Sequence, residues 1–132
     1  MRFRLVVLVT LALATTGCLR PSPGPASAGP QGGCKTYYAT APPVVADAIY
    51  RAFGHLGQEV VNQAGRVACC ESGWGPEATN GQYRGLFQLG YNYNGTITFY
   101  GGNVFNAFTN AQVARDSYVT RGYSWSAFQC QP

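Results

Sequence analysis

Charge is sparse in this chain. Only 11% of its residues are Asp, Glu, Lys or Arg, less than half the share of about 25% in an ordinary globular protein. Nine basic residues against five acidic ones are too few to give a nucleic-acid binder its electrostatic footprint. Histidine occurs once, as His55, and no C-x-x-C is present, so a zinc site of the usual Cys/His spacing has nothing to build on. Long hydrophobic runs are missing too. The apolar stretch from Leu5 to Ala14 is too short to span a bilayer as a helix.

That stretch follows the basic segment Met1 to Arg4, and the pair reads as a signal peptide, which predicts export to the cell envelope or beyond. Two cleavage points compete. Thr16-Gly17-Cys18 resembles a lipoprotein box, which would remove residues 1–17 and leave Cys18 lipidated as a membrane anchor; Ala26-Ser27-Ala28 is an A-x-A site for ordinary signal peptidase. The stretch from Cys18 to Gly33 is rich in Pro, Ser, Gly and Ala, a linker without the means to pack a core. Residues 34–132 then form one small domain. Arg2 and Arg4 leave with the leader, and Arg20 with the later cut, so the mature charge falls from +4 to about +2 or +1 by the cleavage pattern.

Of the five cysteines, Cys18 is either acylated or removed. Cys34, Cys69, Cys70 and Cys130 remain, an even number in an oxidising compartment, and two disulfides are expected. Adjacent Cys69 and Cys70 are poor partners for each other, which leaves two connectivities.

After a short segment over Lys35 to Thr40 that reads as extended, Pro42 and Pro43 open a helix with Val44, Val45, Ala48, Ile49, Ala52, Phe53 and Leu56 recurring at core spacing. Gly54 and Gly57 loosen its end, with His55 solvated on the turn. A second helix begins near Gln58 and carries Val60, Val61, Ala64, Val67 and Ala68 on one stripe. Glu71 continues that stripe, four residues past Val67 and three past Ala68, and Gly73 stops the helix. A carboxyl aimed along a buried side, at the negative end of a helix, has its charged form disfavoured twice, so its pKa should rise. Such a group suits general-acid work on a glycosidic oxygen.

The loop from Trp74 to Tyr83 is turn chemistry, and Glu77 within it reads as solvated. Asp47, Glu59 and Asp116 show no spacing that pairs them with Glu71, so no clear second carboxylate is present. Gly90 to Phe108 reads as a hairpin or irregular cleft wall, with Asn94-Gly95 as its turn. Thr109 or Asn110 is expected to cap a third helix, with Gln112 at a capping-box position and Val113, Ala114, Ser117, Tyr118 and Arg121 on one side, ending at Gly122. Trp125 is expected to pack on the core.

The pairing of Glu71-Ser72 with Gly85-Leu86-Phe87-Gln88 resembles the E-S and G-L-M-Q motifs of the lysozyme-like soluble lytic transglycosylases. Cys70-Glu71-Ser72-Gly73, with Gly122-Tyr123-Ser124-Trp125 and the final Cys130, is similar to resuscitation-promoting-factor domains. The resemblance covers roughly the last two-thirds of the chain. It implies a mainly α, disulfide-stapled lysozyme-like domain with helices around a cleft, monomeric and without a cofactor. The implied activity is cleavage of peptidoglycan glycan strands between N-acetylmuramic acid and N-acetylglucosamine, with Glu71 as acid and base. It favours the pairing Cys70 to Cys130, with Cys34 to Cys69 following. By the same resemblance Gln88 contacts substrate, Leu86 and Phe87 pack under the cleft, and Ser72 either orients Glu71 and touches glycan or only caps the turn. The family's later A-Y-N motif is missing, and Tyr91, Tyr93 and Tyr100 are the substitutes expected for its glycan contacts. A hydrolytic muramidase of the same fold and a non-catalytic glycan-binding protein are the rival expectations.

Overall fold

The computed structural model describes Cys34 and residues 40–132. The signal peptide over residues 1–17, lipidation at Cys18, the cleavage after Ala28, the linker over 18–33 and all but Thr40 of the extended segment at 35–40 lie outside the described residues.

Among the described residues the domain is mainly helical. Helix α1 (Pro43–Phe53) starts where Pro42 and Pro43 preset the backbone, since proline fits the first helical turn without losing a needed N–H. Its buried positions are Val45, Ala48, Ile49, Ala52 and Phe53, an i, i+3, i+4, i+7, i+8 stripe. Val44, expected on that stripe, points outward and is 53% exposed, because the stripe advances from Val45 rather than from its neighbour. A single 3-10 turn (Gly54–Leu56) carries the exposed His55. Helix α2 (Gln58–Ser72) buries Val61, Ala64, Gly65, Val67, Ala68 and Cys69, with Val60 only at the edge of the core. It stops at Gly73, which sits in the left-handed region at φ 63° and donates its N–H to the Cys69 carbonyl at 2.7 Å.

A two-stranded antiparallel ribbon follows, β1 (Thr79–Asn80) on β2 (Tyr83–Arg84), turning through Gly81 at φ 60°. The hairpin therefore lies before Gly85 and not around Asn94-Gly95. There, a 3-10 turn over Tyr91–Tyr93 runs directly into a short helix, α3 (Asn94–Phe99). The Asn94 side chain accepts a hydrogen bond from Arg84 Nη2 at 2.7 Å, and Ile97 is buried one turn on, so local turn propensity yields to tertiary anchoring.

Helix α4 (Ala107–Thr120) crosses α1. Its cap is Asn106, whose Oδ1 accepts from the N–H groups of Phe108 at 3.0 Å and Thr109 at 3.1 Å, and not Thr109 or Asn110 with Gln112 in a capping box. Both of those residues are buried inside the helix. Arg121, expected on the inner side, is exposed at the helix end, while Val113, Ala114, Ser117 and Tyr118 are buried as expected.

Asn110 holds the chain before it in place. Fully buried, it accepts from the Phe87 N–H at 2.8 Å and donates to the carbonyls of Val104 at 2.8 Å and Arg84 at 3.2 Å. Gly85 lies against this amide at φ 79°, and a Cβ there would collide with the Asn110 side chain and the Val104 carbonyl. Above it, Phe87 meets Phe53, Trp125 and Phe128, its ring parallel to the Trp125 indole within 8° and 6.4 Å away. Trp125 is buried, 5% exposed, and donates its N–H to Gln63 Oε1 at 3.0 Å.

Two disulfides tie the domain, Cys34 to Cys69 and Cys70 to Cys130, the pairing that the resemblance implied. They mark a protein of an oxidising compartment. No helix among the described residues is long and apolar enough to cross a membrane.

Replacing Asn110 with Ala would leave the Phe87 N–H and the Val104 carbonyl without their partner in the interior, while the Arg84 carbonyl keeps the Leu89 N–H at 2.8 Å. At about 1–3 kcal/mol for each buried group so stranded, the loss is on the order of 2 kcal/mol or more, read as a lower urea midpoint at unchanged slope. Removing the outer bond by Cys70→Ser with Cys130→Ser should cost about 2–5 kcal/mol in the same titration, with the helical circular dichroism retained at zero denaturant.

Candidate active site

The last turn of α2 delivers Glu71 and Ser72 together, and the two side chains do different work. Ser72 Oγ lies 2.7 Å from the Leu86 carbonyl and 3.0 Å from the Ala68 carbonyl. One hydroxyl proton serves these two acceptors, and the shorter contact ties the helix end to the Gly85–Gln88 segment. Ser72 thus fastens the helix end to that segment, and no hydrogen bond joins it to Glu71 among the described residues.

Glu71 is half-buried. Burial pushes its carboxyl above the ordinary glutamate range; the backbone N–H of Cys130, and more weakly that of Gln129, pull the other way without cancelling the rise. The Cys130 N–H donates to Glu71 Oε1 at 2.8 Å. This partner was not legible in the sequence, since a backbone donor has no residue signature; only the neighbouring Cys70 hinted that the tail would arrive here. With Oε1 facing an N–H, a proton on the carboxyl belongs on Oε2. The tail that brings the donor is held by the Cys70–Cys130 bond, by Phe128 and Trp125 in the aromatic cluster, and by Gln131 Nε2, which donates to the carbonyls of Phe128 at 3.0 Å and Trp125 at 3.2 Å.

Gln88 stands at φ 48°, in the left-handed region that non-glycine residues seldom adopt. Its amide donates to the Gly85 carbonyl at 2.9 Å and the Ala78 carbonyl at 3.2 Å, leaving Oε1 as the part of the side chain not engaged by the described residues. Backbone strain of this kind gathers at functional positions. Leu86 and Phe87 are fully buried beneath it. Trp74, also in the left-handed region at φ 62°, donates its indole N–H to the Gly65 carbonyl at 3.1 Å and closes the loop over α2.

The tyrosines divide. Tyr91 is 56% exposed and lies face-on to the Arg84 guanidinium at 4.3 Å. Tyr93 turns to α4, its hydroxyl 2.8 Å from Ser117 Oγ. Tyr100 donates to Asp116 Oδ2 at 2.7 Å and accepts from Arg115 at 3.1 Å; the hydrogen bond to the Asp116 carboxylate raises its phenol above the usual range. No hydrogen bond connects Gln88, Tyr91 or Tyr93 to Glu71 among the described residues.

The chain matches no protein-family model, no curated protein and no solved structure. The chemistry of the site therefore rests on its own geometry. Of the other described carboxylates, Asp47 pairs with Arg51 at 3.0 Å, Glu59 pairs with Arg66 at 3.2 Å, and Glu77 is exposed on its loop. Asp116 lies 2.8 Å from Arg115 Nε, at an angle that gives charge pairing without a hydrogen bond. Among the described residues no three His, Cys, Asp or Glu side chains are grouped to hold a metal ion.

A raised folded-state pKa means that the native protein keeps the Glu71 proton where the unfolded chain has lost it. Stability is whole below the ordinary glutamate value and declines as pH climbs through the raised one. Glu71→Gln cannot ionise, and its carbonyl oxygen still accepts from Cys130. The variant should melt a few degrees above wild type at about pH 8 and level with it near pH 4, below the unperturbed glutamate pKa. Lower melting of the variant at pH 8 would mean that the tail amides favour the anion more than burial disfavours it.

Proposed function

We propose that this protein is a lysozyme-like lytic transglycosylase, exported to the bacterial cell envelope, that cleaves peptidoglycan glycan strands between N-acetylmuramic acid and N-acetylglucosamine. One observation carries the reading. Glu71 is a half-buried carboxyl with its charge disfavoured and one oxygen already held by a backbone N–H, which leaves the other oxygen to carry and return a proton.

In this mechanism Glu71 Oε2 donates its proton to the glycosidic oxygen as the bond to the muramic-acid C1 breaks, and positive charge develops on that sugar ring. The resulting carboxylate then removes the proton from the same sugar's C6 hydroxyl, whose oxygen bonds to C1. The product is a 1,6-anhydro end, no water is consumed, and Glu71 ends protonated as it began. One carboxyl suffices, in keeping with the engagement of Asp47, Glu59 and Asp116 by arginines. A muramidase would instead deliver water to C1 and leave a reducing end. A glycan-binding protein is the second reading, favoured by the hydrogen bond that already gives Glu71 a structural task.

Digestion of purified peptidoglycan by the wild type and by Glu71→Gln separates the three. Anhydro-muropeptides, identified by mass spectrometry, are expected from wild type, with release reduced by about a hundredfold or more in the variant, as befits loss of an acid/base group. Wild-type activity should fall on the alkaline side as pH passes the raised pKa of Glu71. Reducing ends would make the enzyme a muramidase, and sacculus binding without product from either protein would leave the binding reading.

A further inference from the structure

An open cavity of about 320 Å³ lies between the Tyr91–Tyr93 turn with α3 on one side and the second half of α4 on the other. It is separate from the site above, and none of its lining residues bonds to Glu71, Ser72 or Gln88 among the described residues. Buried Val113 and Ser117 form its inner wall, with the Tyr93 hydroxyl fixed to Ser117 at 2.8 Å. Asn92, Thr96 and Arg121 stand around the opening.

The charges in this cavity are unequally committed. Asp116 also lines it, but Tyr100 donates to one of its oxygens at 2.7 Å and Arg115 stands 2.8 Å from the other. Arg121 is exposed, and no described ion pair or side-chain hydrogen bond engages it, nor the side chain of Asn92 or the hydroxyl of Thr96. The ligand that complements these groups carries one carboxylate for Arg121 and amides for Asn92 and Thr96. At about 30 Å³ per water, the space holds roughly ten waters, the bulk of one or two amino-acid residues.

We propose that this cavity binds a short N-acylated peptide through its free carboxylate, and that its ligand is the peptide stem borne by the glycan strand. The identity of the strand rests on the function proposed above; the carboxylate chemistry of the cavity does not. Tyr93 then serves the stem rather than the glycan, and the enzyme prefers strands that keep their peptides.

The test uses backbone amide chemical shifts of the full mature protein, in the Glu71→Gln form so that nothing is consumed. The probes are an N-acetylated stem tetrapeptide with a free C-terminal carboxylate, the same peptide amidated, and neutral chitotetraose. Saturable shifts at Asn92, Thr96 and Arg121 are expected from the free-carboxylate peptide, weakened about fivefold by Arg121→Gln, as for loss of one exposed ion pair, and largely restored by Arg121→Lys. Absence of those shifts, or equal shifts from the amidated peptide or chitotetraose, would overturn the proposal. Peptide binding here, with no strand cleavage by the wild-type protein in the digestion above, would leave the cavity assigned and remove the transglycosylase reading; wild-type cleavage without peptide binding would do the reverse.

Discussion

The Cys70–Cys130 disulfide lies one residue from the carboxylate around which the site is organised. Its consequence is local before it is global. By bringing the tail back across the end of α2, it places the Cys130 N–H on Glu71 Oε1 and adds protein atoms over a group that would otherwise face water. Burial and the backbone donor then act in opposite senses on the same carboxyl, and burial prevails. A carboxyl balanced in this way holds a proton at higher pH than a solvated one.

The tail would not stay without a platform, and Phe87 with Asn110 supplies it. Phe87 stacks on Trp125 and contacts Phe128, while the backbone beneath it is pinned by the buried Asn110 amide. Ser72 joins the same segment from the α2 side through the Leu86 carbonyl. Helix end, Gly85–Gln88 segment and tail are therefore one mechanical unit. With so few charged residues in the chain, buried hydrogen bonds and ring packing take the place that ion pairs hold elsewhere.

Much of this was readable from periodicity. The stripes of α1 and α2, the stop at Gly73 and the position of Glu71 along the buried side follow from helical spacing alone, because a helix turns any i, i+3, i+4 pattern into a face. The misreadings came where a local signal met a distant partner. Asn94-Gly95 has the composition of a tight turn, but Arg84 and the buried Ile97 hold it in a helix. Asn110 looks like a cap, yet its three bonds lie across the fold, and Asn106 caps instead. Ser72, read either as a group beside Glu71 and the glycan or as a turn cap, and Tyr93, expected at the glycan, also meet distant partners that no spacing announces, the Leu86 carbonyl and Ser117.

What the sequence by itself determined was composition and order: an even set of domain cysteines, three amphipathic helical patterns, and a glutamate at the buried end of the second. These depend on neighbours within a turn or two, where geometry is common to all helices. Only the tertiary structure decided which oxygen of Glu71 is held, which hydroxyls are free, and that Asn92, Thr96 and Arg121 share one cavity. Those facts depend on contacts between residues far apart in the chain, and no spacing rule carries them.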